Sequence, residues 1–221
     1  MLSYRKNADL IQLKQKWALS LLKAFNIELN VIGRHSSNKS LVFIGNHISF
    51  LDIIVLLAAE PKIVFLSKAE VKRWPIIGAG AVRMGTLFVS RESTESRAQS
   101  KRALQELLSN KSNSIYLAGF PSGTTAIKEN LRWKRGLFEV AQNTETEVQS
   151  FKFNYSPLRV CAYIDEDTLF TSMMGLFKTE NKRVCLEWGE SQKIVNLAEQ
   201  MDSFQEWTQF EQNRNEEKTE I

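Results

Sequence analysis

"SLVFIGNHISFLDIIVLLAAE", residues 40–60, reads as a strand, a short loop and a helix. Leu41–Ile44 is an unbroken apolar run, the pattern of a strand buried on both faces. From Ile48 to Glu60 the chain has helical length and composition, and its apolar run falls well short of the ~20 residues needed to span a bilayer. His47 and Asp52 flank the junction. On one continuous helix, positions five apart are ~140° out of register. A histidine in the loop can instead fold back to an aspartate on the first turn. The carboxylate then accepts the proton of one imidazole nitrogen, and the other nitrogen acts as a base toward a hydroxyl. Taken alone, an H-x4-D pair fits a structural histidine beside a helix-capping aspartate better.

Outward from this unit, "KIVFLSK" (62–68), "GTLFVSR" (85–91), "SIYLAGFP" (114–121), "PLRVCAYI" (157–164) and "RVCLEWGE" (183–190) read as strands. Residues 93–110, with Ser93 or Thr94 as N-cap, 134–144 and 196–213 read as helices. Alternating strands and helices imply an α/β fold, a central mixed sheet flanked by helices, with ligands at the carboxyl ends of strands. His47, Arg91 and Ser122 fall at such ends. The expected division is an N-terminal amphipathic helical segment, residues 1–37, followed by an α/β domain, residues 38–221.

Residues 7–29 have helical periodicity. Leu10, Leu13, Trp17, Leu21 and Ala24 form one stripe, which Ile11, Ala18, Leu22 and Phe25 widen, with Arg5, Lys6, Lys14, Lys16 and Lys23 on or beside the polar face. Two readings stand: a helix packed on its own domain, or an interfacial helix with its apolar stripe in lipid and its lysines at anionic headgroups. "RWPIIGAGAVRMG" (73–85) similarly suits a lipid-facing surface or a core segment.

Charge is uneven. Residues 1–110 carry 16 Lys and Arg against 8 Asp and Glu, and residues 111–221 carry 13 against 17. A basic first half suits an anionic partner, whether phospholipid headgroup, phosphorylated substrate or nucleic acid. No aromatic-basic interleaving or nucleic-acid motif accompanies it, so no nucleic-acid partner is expected. Cys161 and Cys185 lack metal-ligand spacing and read as reduced thiols, so neither metal nor disulfide is expected. Asp9, Lys14 and Lys16 interrupt any signal-peptide core.

"NHISFLD" (46–52), "GTLFVSR" (85–91), "GFPSGTT" (119–125) and "YSPLRVCAYI" (155–164) occur in the order and at the separations of four sequence blocks. Together they resemble the glycerolipid acyltransferase family, best known for 1-acylglycerol-3-phosphate acyltransferases, over residues 38–190. The resemblance implies transfer of a fatty acyl group from acyl-CoA or acyl carrier protein to the free hydroxyl of a lysophospholipid, most simply lysophosphatidate, without a cofactor or acyl-enzyme. It implies His47 as general base, Asp52 as its partner and Arg91 at the acceptor's phosphate. Nothing matches a G-x-S-x-G nucleophile elbow. Ser122, Gly123 and Thr124 are expected to shape the acceptor loop, either donating to an oxyanion or turning the chain. Lys68, Lys134 and Arg135 are candidates for the same basic surface or for solvated positions. The family also implies a peripheral, monotopic enzyme on the cytoplasmic face of a membrane.

One block departs from the family. Ser122 stands where a glutamate is usual, and Thr125 where an arginine is common. This leaves open another acceptor, such as a lyso-ornithine lipid, or a non-catalytic membrane-associated homologue.

Overall fold

The strand at residues 41–45 sits at the middle of the molecule because both of its faces are apolar. The computed structural model describes residues 8–36, 39–73, 77–89, 93–110, 114–128, 132–164 and 167–216, with backbone alone for Ile77 and 210–216. In chain order the elements are α1 (Ala8–Ala24), β1 (Ile27–Ile32), β2 (Leu41–Gly45), α2 (Leu51–Ala59), β3 (Ile63–Lys68), a 3-10 turn (Ala69–Arg73), α3 (Ile77–Arg83), β4 (Leu87–Val89), α4 (Thr94–Ser109) and β5 (Tyr116–Gly119). They continue with α5 (Gly136–Asn143), β6 (Glu147–Ser156), α6 (Leu158–Cys161), α7 (Leu169–Lys178), β7 (Lys182–Gln192) and α8 (Leu197–Glu216). The strands form one sheet in the order β1-β7-β6-β2-β5-β3-β4. All neighbours are parallel except β6 and β7, so the sheet is mixed.

Successive β2 side chains point to opposite faces. Leu41 and Phe43 enter one core with Ala18, Leu51, Val55, Phe151 and Leu176. Val42 and Ile44 enter the other with Leu104, Leu137, Phe138 and Phe204. Helices α1, α2 and α7 thus cover one face, and α4, α5 and α8 the other. This is the α/β architecture expected from the alternating pattern, and Ser93 caps α4 in a reciprocal box with Ser96.

Several sequence expectations change. The N-terminal helix stops at Ala24. Asn26 takes φ +52°, and Ile27–Ile32 continues as β1, paired in parallel with β7. Ala18 and Leu22 face the core while Leu13 and Trp17 of the first stripe face outward. Lys14, placed beside the polar face, is buried with Nζ 3.5 Å from the Ile63 carbonyl. Residues 157–164 are not a strand but the one-turn α6 and an extended segment. The strand precedes them as β6. Its polar residues Gln149 and Lys152 are buried: Gln149 Nε2 donates to the Arg34 and Gly189 carbonyls, and Lys152 pairs with Glu187 at 3.1 Å. Helices α3 and α7 had no clear sequence signal.

Among the described residues, no helix is long and apolar enough to cross a membrane. Nor, among the described residues, is any group of three or more His, Cys, Asp or Glu arranged to hold a metal.

Candidate active site at the carboxyl end of β2

Gly45 ends β2 where β6 passes close. A Cβ there would lie 2.3 Å from the Phe151 carbonyl oxygen, so only glycine lets the strand reach this point. The next residue locks the loop. The Asn46 amide is fully buried and exchanges two hydrogen bonds with the Phe153 backbone, at 2.8 and 3.1 Å. The carbonyls of His47 and Ile48 then accept from the backbone N–H groups of Ala126 and Tyr163, at 2.8 and 2.9 Å. The loop is therefore tied to β6, to the segment after β5 and to the segment after α6.

Asp52, on the first turn of α2, is wholly buried. Its Oδ2 accepts the N–H groups of Ile48 at 2.8 Å and Ser49 at 3.1 Å, and meets His47 Nδ1 at 2.8 Å. An oxygen that already accepts two N–H groups acts as an acceptor toward the imidazole as well, which assigns the proton to Nδ1. Nε2 is then the ring nitrogen able to accept a proton. The His47 ring is stacked on Phe120, with centroids 3.9 Å apart and planes 10° apart, and its side chain retains 19% exposure. The loop histidine does fold back to the first helical turn.

Sequence reasoning missed Tyr155. Its hydroxyl donates to Asp52 Oδ1 at 2.7 Å from the far end of β6. Burial pushes the phenol well above its ordinary pKa, and the Asp52 charge and hydrogen bond add to this, so it stays protonated and donates. The available signal was the i, i+2, i+4 series Phe151, Phe153, Tyr155, which puts the tyrosine on the core face of a strand. Cys161 lies nearby, but burial raises its thiol to about 11 against a smaller opposing effect of Lys182, so it is no thiolate nucleophile at neutral pH.

The third block forms a tight turn. Gly123 adopts φ +75°, and its N–H bonds the Phe120 carbonyl at 3.1 Å, which commits that donor. Ser122 is buried and donates to the Thr124 carbonyl at 3.0 Å, so its hydroxyl closes the turn. Thr124 is exposed beside it. Arg135 precedes α5 and lies 3.8 Å from Glu139, which also binds Lys101 at 2.9 Å. Lys68 is the exposed last residue of β3, in register with Val89. Arg91 lies outside the described residues. The structure thus joins His47 to Asp52 directly and brings the third block to His47 through Phe120 and Ala126, while Lys68 and Arg135 belong to neighbouring strand and helix ends.

On the face covered by α4 and α5, a cavity of about 540 Å³ opens against Phe120. Leu66, Leu104 and Leu137 make it apolar, and its charged lining is Arg97, Lys101 and Lys134 with the Glu139 carboxylate paired to Lys101. The other histidine, His35, lies at the opposite end of the parallel strands. Its Nε2 meets Glu60 at 2.8 Å and its Nδ1 the Ser36 carbonyl at 2.7 Å, inside a box of Phe43, Tyr116 and Trp188. This pair is a structural clamp remote from His47.

A family model described as Acyltransferase matches residues 28–154. The lyso-ornithine lipid O-acyltransferase of Pseudomonas aeruginosa is 32% identical over 189 residues, covering 81% of this chain and 71% of that protein. A 1-acyl-sn-glycerol-3-phosphate acyltransferase of Neisseria meningitidis is 30% identical over 138 residues, 61% of this chain and 52% of that one. The crystal structure of the 1-acyl-sn-glycerophosphate acyltransferase PlsC from Thermotoga maritima shares the fold, with a TM-score of 0.72 at 15% identity over 96% of this chain and 84% of that one.

Proposed function

Because this chain belongs to the acyltransferase family, we propose that it transfers a fatty acyl group from a thioester to the free hydroxyl of a lysolipid, with His47 as the general base. The observation that carries this reading is the contact of His47 Nδ1 with the buried Asp52 carboxylate. Asp52 fixes the tautomer and orientation of the ring and stabilises the imidazolium that forms.

In the proposed reaction, Nε2 takes the acceptor's hydroxyl proton as its oxygen attacks the thioester carbonyl. The new C–O bond forms while the carbonyl electron pair moves to oxygen. Collapse of the tetrahedral intermediate breaks the C–S bond, and the imidazolium returns its proton to the departing thiolate. No acyl-enzyme is formed, in keeping with the raised Cys161 pKa. The cavity against Phe120 has the chemistry for an acyl amphiphile with an anionic group. Arg91 and Lys68 are proposed to meet the headgroup, with Gly123 and Thr124 shaping its loop and Arg135 adding positive charge. Acyl-CoA and acyl carrier protein are both candidate donors.

Lysophosphatidate is the first acceptor proposed. A second reading, a lyso-ornithine lipid, is favoured by a specific pair of observations. A relative bearing that name matches 81% of this chain, and Thr125 offers no charge where family members commonly have arginine. In either case the enzyme is proposed to meet the cytoplasmic face of a membrane peripherally, through the outward stripe of α1.

The test is acyl transfer by purified protein in liposomes, offering each acceptor with each donor. Product that disappears in His47→Ala is expected. Turnover by that variant at the wild-type rate removes the mechanism, and exclusive use of one acceptor decides between the two readings.

A further inference from the structure

Asp52 presents two oxygens to different parts of the fold. Oδ2 meets His47 Nδ1 and the Ile48 and Ser49 N–H groups, all from its own loop. Oδ1 meets the Tyr155 hydroxyl, which arrives from β6, 103 positions along the chain. We propose that Tyr155 is a positioning residue for acyl transfer: its hydroxyl fixes the Asp52 carboxylate and sets how strongly that carboxylate holds the Nδ1 proton of His47. This rests on the reading of His47 as the base.

Three observations support a role for the hydroxyl beyond ring packing. The bond is short, as expected for a neutral donor on a carboxylate. Asp52 is fully buried, so loss of the hydroxyl would leave Oδ1 without that donor where water does not reach. Tyr155 is itself anchored. Its ring packs beside Phe153, its backbone lies in register with Val184, and Asn46 fixes the neighbouring Phe153 backbone to the His47 loop. Strand β6 therefore holds both the loop bearing the base and the donor behind the base's partner.

The electrostatic consequence has a definite sign. A donor on Oδ1 draws negative charge from Asp52 and weakens its support of the His47 imidazolium. Removing the donor strengthens that support. The titratable groups around the carboxylate are His47 from its own loop and Tyr155 from β6. Cys161 of α6 lies beyond the phenol, and Lys182 of β7 beyond the thiol. With Tyr155 raised well above its ordinary value and Cys161 raised to about 11, neither of them gives an acidic limb in the activity profile.

The experiment measures kcat and KM against pH for the full chain carrying Tyr155→Phe, with His47→Ala and Asp52→Asn as companions. In Tyr155→Phe, kcat is expected to fall ~10- to 100-fold, the scale of one hydrogen bond to a charged group. The acceptor KM should barely change, and the acidic limb should move to higher pH. In an Asp52→Asn background the same change should have no further effect on kcat, because the two residues act as a unit. Replacing Tyr155 by 3-fluorotyrosine, a stronger donor of nearly the same shape, should move the limb to lower pH, and this protein gives the readout even if Tyr155→Phe folds poorly. An unmoved limb in the fluorotyrosine protein overturns the proposal. So does a Tyr155→Phe loss that is equal at all pH values and additive with Asp52→Asn. If His47→Ala retains transfer, the underlying reading falls and the proposal with it. An inactive His47→Ala with an unmoved limb removes Tyr155 alone.

Discussion

The imidazole of His47 lies flat on the ring of Phe120, with centroids 3.9 Å apart, so the third sequence block touches the proposed base through an aromatic ring. Two features hold the histidine: Asp52 sets its in-plane direction and Phe120 sets its plane. Phe120→Leu keeps an apolar neighbour but removes the stacking surface, and such contacts contribute about 0.5–1.5 kcal/mol. We expect kcat to fall roughly 3- to 10-fold with a melting temperature lower by no more than a few degrees. Steady-state transfer assays beside a thermal melt check this.

Asp52→Asn should be far more severe. The amide offers N–H groups to a position where His47, Tyr155 and two backbone N–H groups all donate. One side of the amide must then face donors without accepting, which costs ~1–3 kcal/mol of stability. The histidine also loses the acceptor that fixes its tautomer, so kcat should drop by ~100-fold or more. Wild-type kcat in a folded Asp52→Asn protein would contradict the assignment.

The His35–Glu60 pair predicts a stability window in pH. Its hydrogen bond with Glu60 raises the His35 pKa despite burial, and the Ser36 carbonyl adds to the rise. Burial opposes the Glu60 carboxylate, but bonds from His35 and the Lys62 N–H outweigh it and hold Glu60 below its ordinary value. For the histidine, stability is fully present below the unfolded value near 6.5 and is lost as pH rises through the raised folded value. For the glutamate, stability is present above the unfolded value near 4.5 and is lost as pH falls through the lowered folded value. The contribution is therefore greatest between about pH 4.5 and 6.5. His35→Gln should cost about 1–3 kcal/mol there and less at pH 8. Urea melts of both proteins at pH 5.5 and 8 read the difference.

Gly45→Ala would place a methyl group 2.3 Å from the Phe151 carbonyl oxygen, backbone against backbone. Neither strand can yield without disturbing the sheet. A loss of ~1–3 kcal/mol is expected, with a fall in activity because His47 lies two residues on. A melting temperature equal to that of the wild type would show that β2 and β6 separate more easily than their register implies.

On α1, Leu13 is 63% exposed and Trp17 39% exposed, while Ala18 and Leu22 face the core. If this outer stripe meets lipid, Leu13→Ser with Trp17→Ser should weaken flotation with anionic liposomes at least ~10-fold while leaving the melt unchanged. Equal flotation of both proteins would move membrane contact to another surface.

The central unit was legible because its signals are local. Leu41–Ile44 and the apolar helix behind it need no partner to declare themselves, and His47 and Asp52 fall within one loop and one helical turn. Strand β6 was not legible. Gln149 and Lys152 look like solvent-facing residues until β7, Arg34 and Glu187 supply their partners, and those partners are distant in sequence. Tyr155 was lost for the same reason, since its significance depends on a contact between β6 and α2. Ser122 shows the converse. Its substitution was visible in the sequence, but only the turn shows that its hydroxyl is spent on the Thr124 carbonyl.

The position of β6 also bears on synthesis. His47 and Asp52 leave the ribosome about a hundred residues before Tyr155 and the backbone that anchors Asn46. Until β6 pairs with β2, the loop lacks its tether through Asn46, and Asp52 lacks the donor on its second oxygen. A nascent chain carrying only the first half of the sheet thus holds the proposed base and its partner without their full geometry. The complete arrangement around Asp52 arrives late in translation, as a property of long-range pairing rather than of the motif that announces it.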